Sequence, residues 1–275
     1  MNRDTLSGVP LGSSRCNASR FPGYAEYALT GDEFFNRIPH LWDLRRVGDI
    51  ASVRGRLGWK GLKADEYVDD GYVFLSTPNI KPREIDWVNV NFISEARYEE
   101  SPEIKLERDD VLLAKDGSTL GIANVVRELP RPATVNSSIA VIRPLSAIHG
   151  RYLRYVLESQ PMRGRVQSMK GGMGVPHLFQ ADIRKMPVPV PSLVEQQKIA
   201  LFLDAQTGLI ETLSAKTPFT PQPSTAIRGD DVAADGTGVP IVQRLADALL
   251  EYRSALITAA VTGQIDVSEF AMEAS

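Results

Sequence analysis

The sequence predicts an α+β protein: a mixed, β-rich domain followed by long helices of coiled-coil type. Three observations predict it. Several short apolar runs of strand length fall between residues 44 and 144, separated by turn-forming residues. Pro187, Pro189 and Pro191 then stand at alternate positions, an extended connector that a helix does not tolerate. After them come two long segments whose apolar residues recur every three or four positions.

In chain order, residues 1–36 are rich in Ser, Gly and Pro with little periodicity and are expected to form an N-terminal tail or arm. The β-rich domain is expected over 37–190. Within it LRRVGDIASVRG (44–55) reads as one amphipathic stretch and YVFLSTPNI (72–80) as a buried β run ending at Pro78. DWVNVNFIS (86–94) alternates with a period of two. SEARYEES (94–101) reads as a short helix. DVLLAKDGSTLGIANVV (110–126) reads as strand, turn, strand, the Asp116-Gly117 pair supplying the positive φ that a tight turn requires. SSIAVIRP (137–144) is a further strand, and HGRYLRYVLESQPMRGRVQSM (149–169) a helix. The run Gly171-Gly172-Met173-Gly174 is either a place where backbone approaches a ligand or an ordinary surface loop.

The helical region is expected over 191–275. Ser192 and Glu195 have the spacing of a capping box. One seam runs through Ile199, Leu203, the polar Gln206, Ile210 and Leu213; a second runs through Val242, Leu245, Leu249, Tyr252, Leu256 and Ala259. Pro240 near the start and Gly263 past the end follow the usual helix asymmetry. Packing on other helices is expected at Ile199, Leu203, Ile210, Leu213, Leu245, Leu249, Tyr252 and Leu256. A polar Gln206 on this seam would fix the register of paired helices, which points to a self-dimer. Residues 217–239, with three prolines and three glycines, read as a flexible insert. Either this insert bulges from one long arm or the two helices fold back as a hairpin.

The chain has 275 residues, 43% hydrophobic and 24% charged, ordinary values for a globular protein with a sizeable core. No apolar run approaches the ~20 residues of a membrane span. The N-terminus carries no secretory signal, and Cys16, the single cysteine, excludes an internal disulfide. A cytoplasmic protein without membrane contact is the expectation. The net charge of −3 is unevenly spread: residues 1–190 hold 26 basic and 23 acidic side chains, residues 191–275 hold 5 and 11. Between Arg143 and Lys185 eight basic residues face only Glu158 and Asp182. A phosphate-facing patch and a protein-facing arm fit that asymmetry; a solvated helix face with scattered charges is the competing reading.

Catalytic signatures are lacking. Nothing reads GxxxxGK(S/T), and no Asn-Pro-Pro-Tyr or Asp-Pro-Pro-Tyr run is present. His40, His149 and His177 are too dispersed for a metal cluster, and no cofactor is expected. Asp86, Glu103 and Lys105 fit the loose pattern of a stand-alone metal-dependent nuclease, although Glu-x-Lys arises by chance in any charged stretch. Recognition remains. Reading DNA needs phosphate anchors and side chains that reach base edges. Candidates fall in three groups: Arg54, Arg56, Lys60 and Lys63 among glycines; Lys115 and Ser118 flanking the Asp-Gly turn; and Arg163, Arg165, Lys170 and His177 around the second glycine run. Each group alone is as readily solvated surface.

PVPVPSLVEQQKIALFLDAQTGLIETL and LLEYRSALITAAVTGQIDV (249–267) resemble the helical stretches of specificity subunits of type I restriction-modification systems. SRFPGYAEY (19–27) and IPHLWDLRRVGDIA (38–51) resemble that family's opening. The resemblance implies a target-recognition domain at 37–190 that binds double-stranded DNA, and helices that act as spacer and dock methyltransferase subunits, with a restriction or translocase subunit as a further partner. It implies a non-catalytic, half-size subunit whose C2 dimer restores two recognition domains. A purely structural coiled-coil adaptor is the alternative.

Overall fold

The computed structural model describes residues 21–56, 62, 64–168, 177–215 and 241–270. Cys16, Lys60, Lys63, Lys170, the glycine run 171–174 and the insert 217–239 lie outside the described residues. The chain opens with strands β1 (Tyr27–Leu29), β2 (Arg37–Pro39) and β3 (Asp43–Arg46), one turn of helix α1 (Val47–Ile50) and strand β4 (Ala51–Arg54). Strands β5 (Tyr72–Leu75) and β6 (Asn91–Ile93) follow, then helix α2 (Glu95–Glu99), β7 (Val111–Ala114), β8 (Ala123–Val125), β9 (Ala133–Val135) and β10 (Ile139–Pro144). Helices α3 (Gly150–Glu158), α4 (Gln160–Ser168) and α5 (Gln180–Arg184), strand β11 (Pro187–Val190) and helices α6 (Leu193–Ala215) and α7 (Ile241–Val261) complete it. The expected α+β class is what the chain adopts.

A four-stranded antiparallel sheet, β4-β10-β7-β8, stands at the centre. Its period-two pattern splits between two cores. Val111, Leu113, Ala140 and Ile142 face the larger core, which includes α3, whereas Leu112, Ile139 and Val141 face a smaller one shared with β5 and β9. Strands buried on both faces read as continuous apolar runs, as VLLA and IAVI do.

Several expected elements are divided, each for a local reason. LRRVGDIASVRG is not one stretch but β3, α1 and β4. Only residues 91–93 of DWVNVNFIS are strand, because the Asp86 carboxylate accepts from the amides of Val88 and Asn89, both at 3.0 Å, and closes a turn. YVFLSTPNI is strand only to Leu75; Thr77–Asn79 form a 3-10 turn. The expected helix 149–169 is two helices, broken at an extended Ser159. In an unbroken helix the ring of Pro161 would meet the carbonyl of Leu157.

The proline run is not a free connector. Residues 187–190 pair antiparallel with β3 and are buried. Alternate spacing puts every proline on the side away from β3, where no donor is required. On that outer side the carbonyl of Pro189 accepts from Tyr152 Oη at 2.8 Å.

Helices α6 and α7 form an antiparallel hairpin: Lys198 Nζ donates to the carbonyl of Ser268, Arg253 lies 3.6 Å from Glu211, and Phe202 packs edge-on against Phe270. The hairpin's base belongs to the large core. Ile199, Phe202, Leu203, Leu256, Ile257 and Val261 share one cluster with Trp42, Tyr152 and Val188. The seam expected to meet partner helices is therefore split. Ile199, Leu203, Ile210 and Leu256 are internal packing of this chain, whereas Leu213, Leu245 and Tyr252 are exposed and Leu249 half-buried. The capping box forms by half. Ser192 Oγ accepts from the Glu195 amide, but the Glu195 carboxylate accepts from Tyr24 Oη at 2.6 Å and Trp42 Nε1 at 3.1 Å instead of returning to Ser192. Burial and that bond to Glu195 push the Tyr24 hydroxyl well above the ordinary tyrosine range. Among the described residues no helix is long and apolar enough to cross a membrane.

Candidate nucleic-acid interface

One end of the central sheet gathers most of what a recognition surface needs. β4 ends at Arg54, opposite Val141, and β7 ends at Ala114, opposite Ile139. Both chains therefore leave the sheet where β10 begins. The segment 177–184 crosses this same end. The Leu178 amide donates to the Lys115 carbonyl at 2.9 Å, Asp116 and His177 form an isolated antiparallel bridge, and Arg184 Nη2 donates to the Val53 carbonyl at 2.9 Å. A Cβ on Gly55 would lie 2.9 Å from Gln180 Nε2, so glycine lets α5 lie close to the end of β4. Gly117 has φ +68°, the left-handed backbone expected of the Asp-Gly turn.

This end unites residues from all three sequence groups. Arg54 is half-buried at the strand end, and Ser118 lies in the 3-10 turn Gly117–Thr119. The Lys115 ammonium is 3.9 Å from Asp116. His177 Nδ1 is in contact with Asp116 Oδ1, and the imidazole meets the Phe179 ring edge-on at 4.5 Å.

The other candidates lie elsewhere. The Arg56 side chain is 3% exposed and lies 3.8 Å from Glu100, so its charge is turned inward. Arg163 and Arg165 leave α4 on opposite sides. Arg163 lies 3.7 Å from Glu158, whereas Arg165 lies 3.8 Å from Asp32 and over the ring of Phe34. The cationic segment 143–185 is largely neutralised, in part by its own Glu158 and in part by acids elsewhere in the chain. Arg143 donates to Asp110 and Glu107, Arg151 lies 3.6 Å from Asp204, and buried Arg154 lies 3.1 Å from Glu158. The hydrogen bond to Asp110 holds the Arg143 guanidinium above its ordinary range against the effect of burial.

Of the cations that do face outward, sequence reasoning counted Arg184 and Lys185 in the cationic segment 143–185 but not among the candidate contacts, and did not single out Arg45 and Arg46. Arg45 and Arg46 on β3 and Arg184 and Lys185 at the end of α5 are exposed, and no carboxylate of the described residues pairs with them. Arg45, Arg46, Arg165 and Lys185 line a concavity of about 500 Å³ with Asp32 as its one acid. The signal was present as adjacent basic pairs, LRR and IRK, but the first was read only as part of one amphipathic stretch. Exposed Phe179 was also missed, because a lone aromatic beside a helix start looks like core.

The nuclease alternative finds no assembled site. Asp86 holds Lys81 and the Asn89 side chain, Lys105 pairs with Glu99, and Glu103 sits in a separate 3-10 turn. The hydrogen bond from the Asn89 amide, followed by that from Lys81, holds the Asp86 carboxyl well below the usual carboxylate range. Among the described residues no group of three or more His, Cys, Asp or Glu is placed to hold a metal ion.

Residues 39–217 match the type I restriction modification DNA specificity domain. The chain is 23% identical over 189 residues to the type I restriction enzyme StySPI specificity subunit of Salmonella potsdam, covering 68% of this chain and 40% of that protein. The EcoKI specificity subunit of Escherichia coli K12 gives the same identity and coverage. The chain thus spans about 40% of the length of the curated relatives it matches. A solved chain from work on complex assembly and conformational transition of the type I R-M system shares the fold, with a TM-score of 0.53 at 17% identity, over 90% of this chain and 50% of that one. Neither a stand-alone nuclease nor a coiled-coil adaptor finds support in these similarities.

Proposed function

This chain belongs to the family of type I restriction modification DNA specificity domains, and on that footing we propose that it reads a double-stranded DNA sequence on behalf of partner subunits. It is the non-catalytic recognition subunit of a type I restriction-modification complex. Methyltransferase subunits, and a restriction or translocase subunit, supply the chemistry and bind the methyl donor and ATP. The observation that carries this reading is the convergence of Arg54, Lys115, Ser118 and His177 at one sheet end, with Arg184 bonded to the Val53 carbonyl beside it and a separate concavity lined by the exposed cations Arg45, Arg46 and Lys185. Loops at the end of a rigid sheet supply base contacts, and a cationic flank tracks phosphate.

The described residues hold one recognition domain, and a second copy of the chain would provide a second half-site. The exposed distal residues Leu213, Leu245 and Tyr252, with half-buried Leu249, offer the surface for that copy or for a methyltransferase. The complex works in the cytoplasm, where the host DNA lies.

Co-expression with the neighbouring methyltransferase, followed by methylation mapping, tests the reading: one bipartite motif is expected. On the purified complex, Arg45→Ala, Arg46→Ala or Lys185→Ala lowers the slope of log affinity against log salt by about 0.9 each, on target and random DNA alike. Arg143→Ala, whose charge is already held by Asp110 and Glu107, leaves the slope unchanged. A full slope in the Arg45/Arg46/Lys185 triple variant overturns the assignment of this flank.

A further inference from the structure

Resting on the reading of this sheet end as DNA-facing, we propose that Phe179 is a specificity-determining residue whose ring contacts the 5-methyl group of a thymine in the major groove. Phe179 is 64% exposed, the most exposed aromatic side chain among the described residues. It stands on a surface that is otherwise polar, between Lys115, Asp116, His177 and Gln180. A singly exposed apolar side chain is ordinary on a protein surface; what sets Phe179 apart is its place at this sheet end, with its ring edge-on to the imidazole of His177.

The ring is held in place although it is uncovered. Leu178 before it is 1% exposed and Ile183 after it is fully buried. The Phe179 carbonyl accepts from the amides of Asp182 at 3.0 Å and Ile183 at 3.1 Å, which fixes the backbone at the start of α5. The imidazole of His177 meets the ring edge-on at 4.5 Å and is itself tied to Asp116. Binding therefore costs little side-chain entropy. An apolar ring makes no hydrogen bond, and the apolar group that a base edge presents in the major groove is the thymine methyl. His177, with Nδ1 engaged by Asp116, keeps only Nε2 for a base or phosphate. Asp116 and His177 thus act as positioning residues for Phe179.

The test uses the complete chain purified with its methyltransferase, and duplexes carrying the mapped target with each thymine replaced in turn by deoxyuridine. At one position wild type binds the deoxyuridine duplex about four-fold more weakly, the worth of one buried methyl. Phe179→Ala loses that difference and relaxes the methylated motif at the same position, whereas Phe179→Leu keeps both. Binding of random DNA and the melting temperature stay as in wild type. No deoxyuridine position separating wild type from Phe179→Ala overturns the proposal. So does a 2-aminopurine signal of unstacking that depends on Phe179 without a methyl effect, which would make the ring a wedge between base steps. If wild type itself prefers no sequence, the recognition reading fails and this proposal falls with it.

Discussion

Arg127 and Asp204 face each other in a two-point ion pair: Arg127 Nη1 donates to Asp204 Oδ2 at 2.9 Å and Nη2 to Oδ1 at 2.5 Å. Tyr155 Oη donates to the same Oδ1 at 2.7 Å, and Arg151 lies 3.6 Å away. The pair joins the chain after β8 to α6, with α3 between them, and so sets how the helical hairpin sits on the sheet. Burial pushes the Tyr155 hydroxyl up to about 12, so it remains a donor throughout the working range.

Asp204→Asn removes the charge that holds Arg127 and Arg151, and should cost about 1–3 kcal/mol. Burial acts to raise the Asp204 pKa, but the hydrogen bonds from Arg127 and Tyr155 win and hold it below the ordinary value of 3.8. A carboxylate lowered in the folded state contributes stability that is complete above its unfolded pKa and is lost as pH falls through the folded one. The difference in urea midpoint between wild type and Asp204→Asn should therefore be constant from neutral pH down to about 5, shrink below about 4 and close only once pH has fallen through the lowered folded pKa. A difference that keeps its full neutral-pH size at every pH below about 4 would show that the pair stabilises by packing instead of charge.

Leu203 and Leu245 stand on successive seams yet should behave oppositely. Leu203 is fully buried among side chains of this chain, and Leu203→Ala should cost roughly 2–5 kcal/mol. Leu245 is 49% exposed, and Leu245→Ala should stay within about 0.5 kcal/mol in the isolated subunit. Denaturant melts of the two variants measure this directly. Equal losses would mean that the distal hairpin is covered in the free protein.

Gly263 and Gly31 both have left-handed φ, +69° and +77°. A Cβ on Gly263 would lie 2.3 Å from Pro39 Cγ, whereas around Gly31 there is nothing within 4 Å. Both alanine variants carry backbone strain on the order of 1 kcal/mol. Gly263→Ala adds a clash where α7 closes onto β2, and its melting temperature should drop further. Similar drops would show that Pro39 moves aside.

Much of this protein was legible in its sequence, because period and capping are local. The apolar runs at 111–114 and 139–142, the Asp116-Gly117 turn, the Ser192 cap and the two long helices α6 and α7 all follow from neighbours a few residues apart. What the tertiary structure decided is which side of each pattern meets what. A seam of Ile199, Leu203 and Leu256 has the same spacing whether its partner is another chain or this chain's own sheet, and only folding shows that it is the latter. PVPV reads as a connector until β3 supplies a neighbour that needs donors from alternate residues alone. Arg143 and Arg154 look like surface charge until Asp110 and the carbonyl of Pro82 are brought against them, while Arg45, Arg46, Lys185 and Phe179 stay exposed. The reason is range: hydrogen-bond caps and amphipathic periods act over one or two turns, whereas ion pairing and burial depend on residues that meet only when the chain closes.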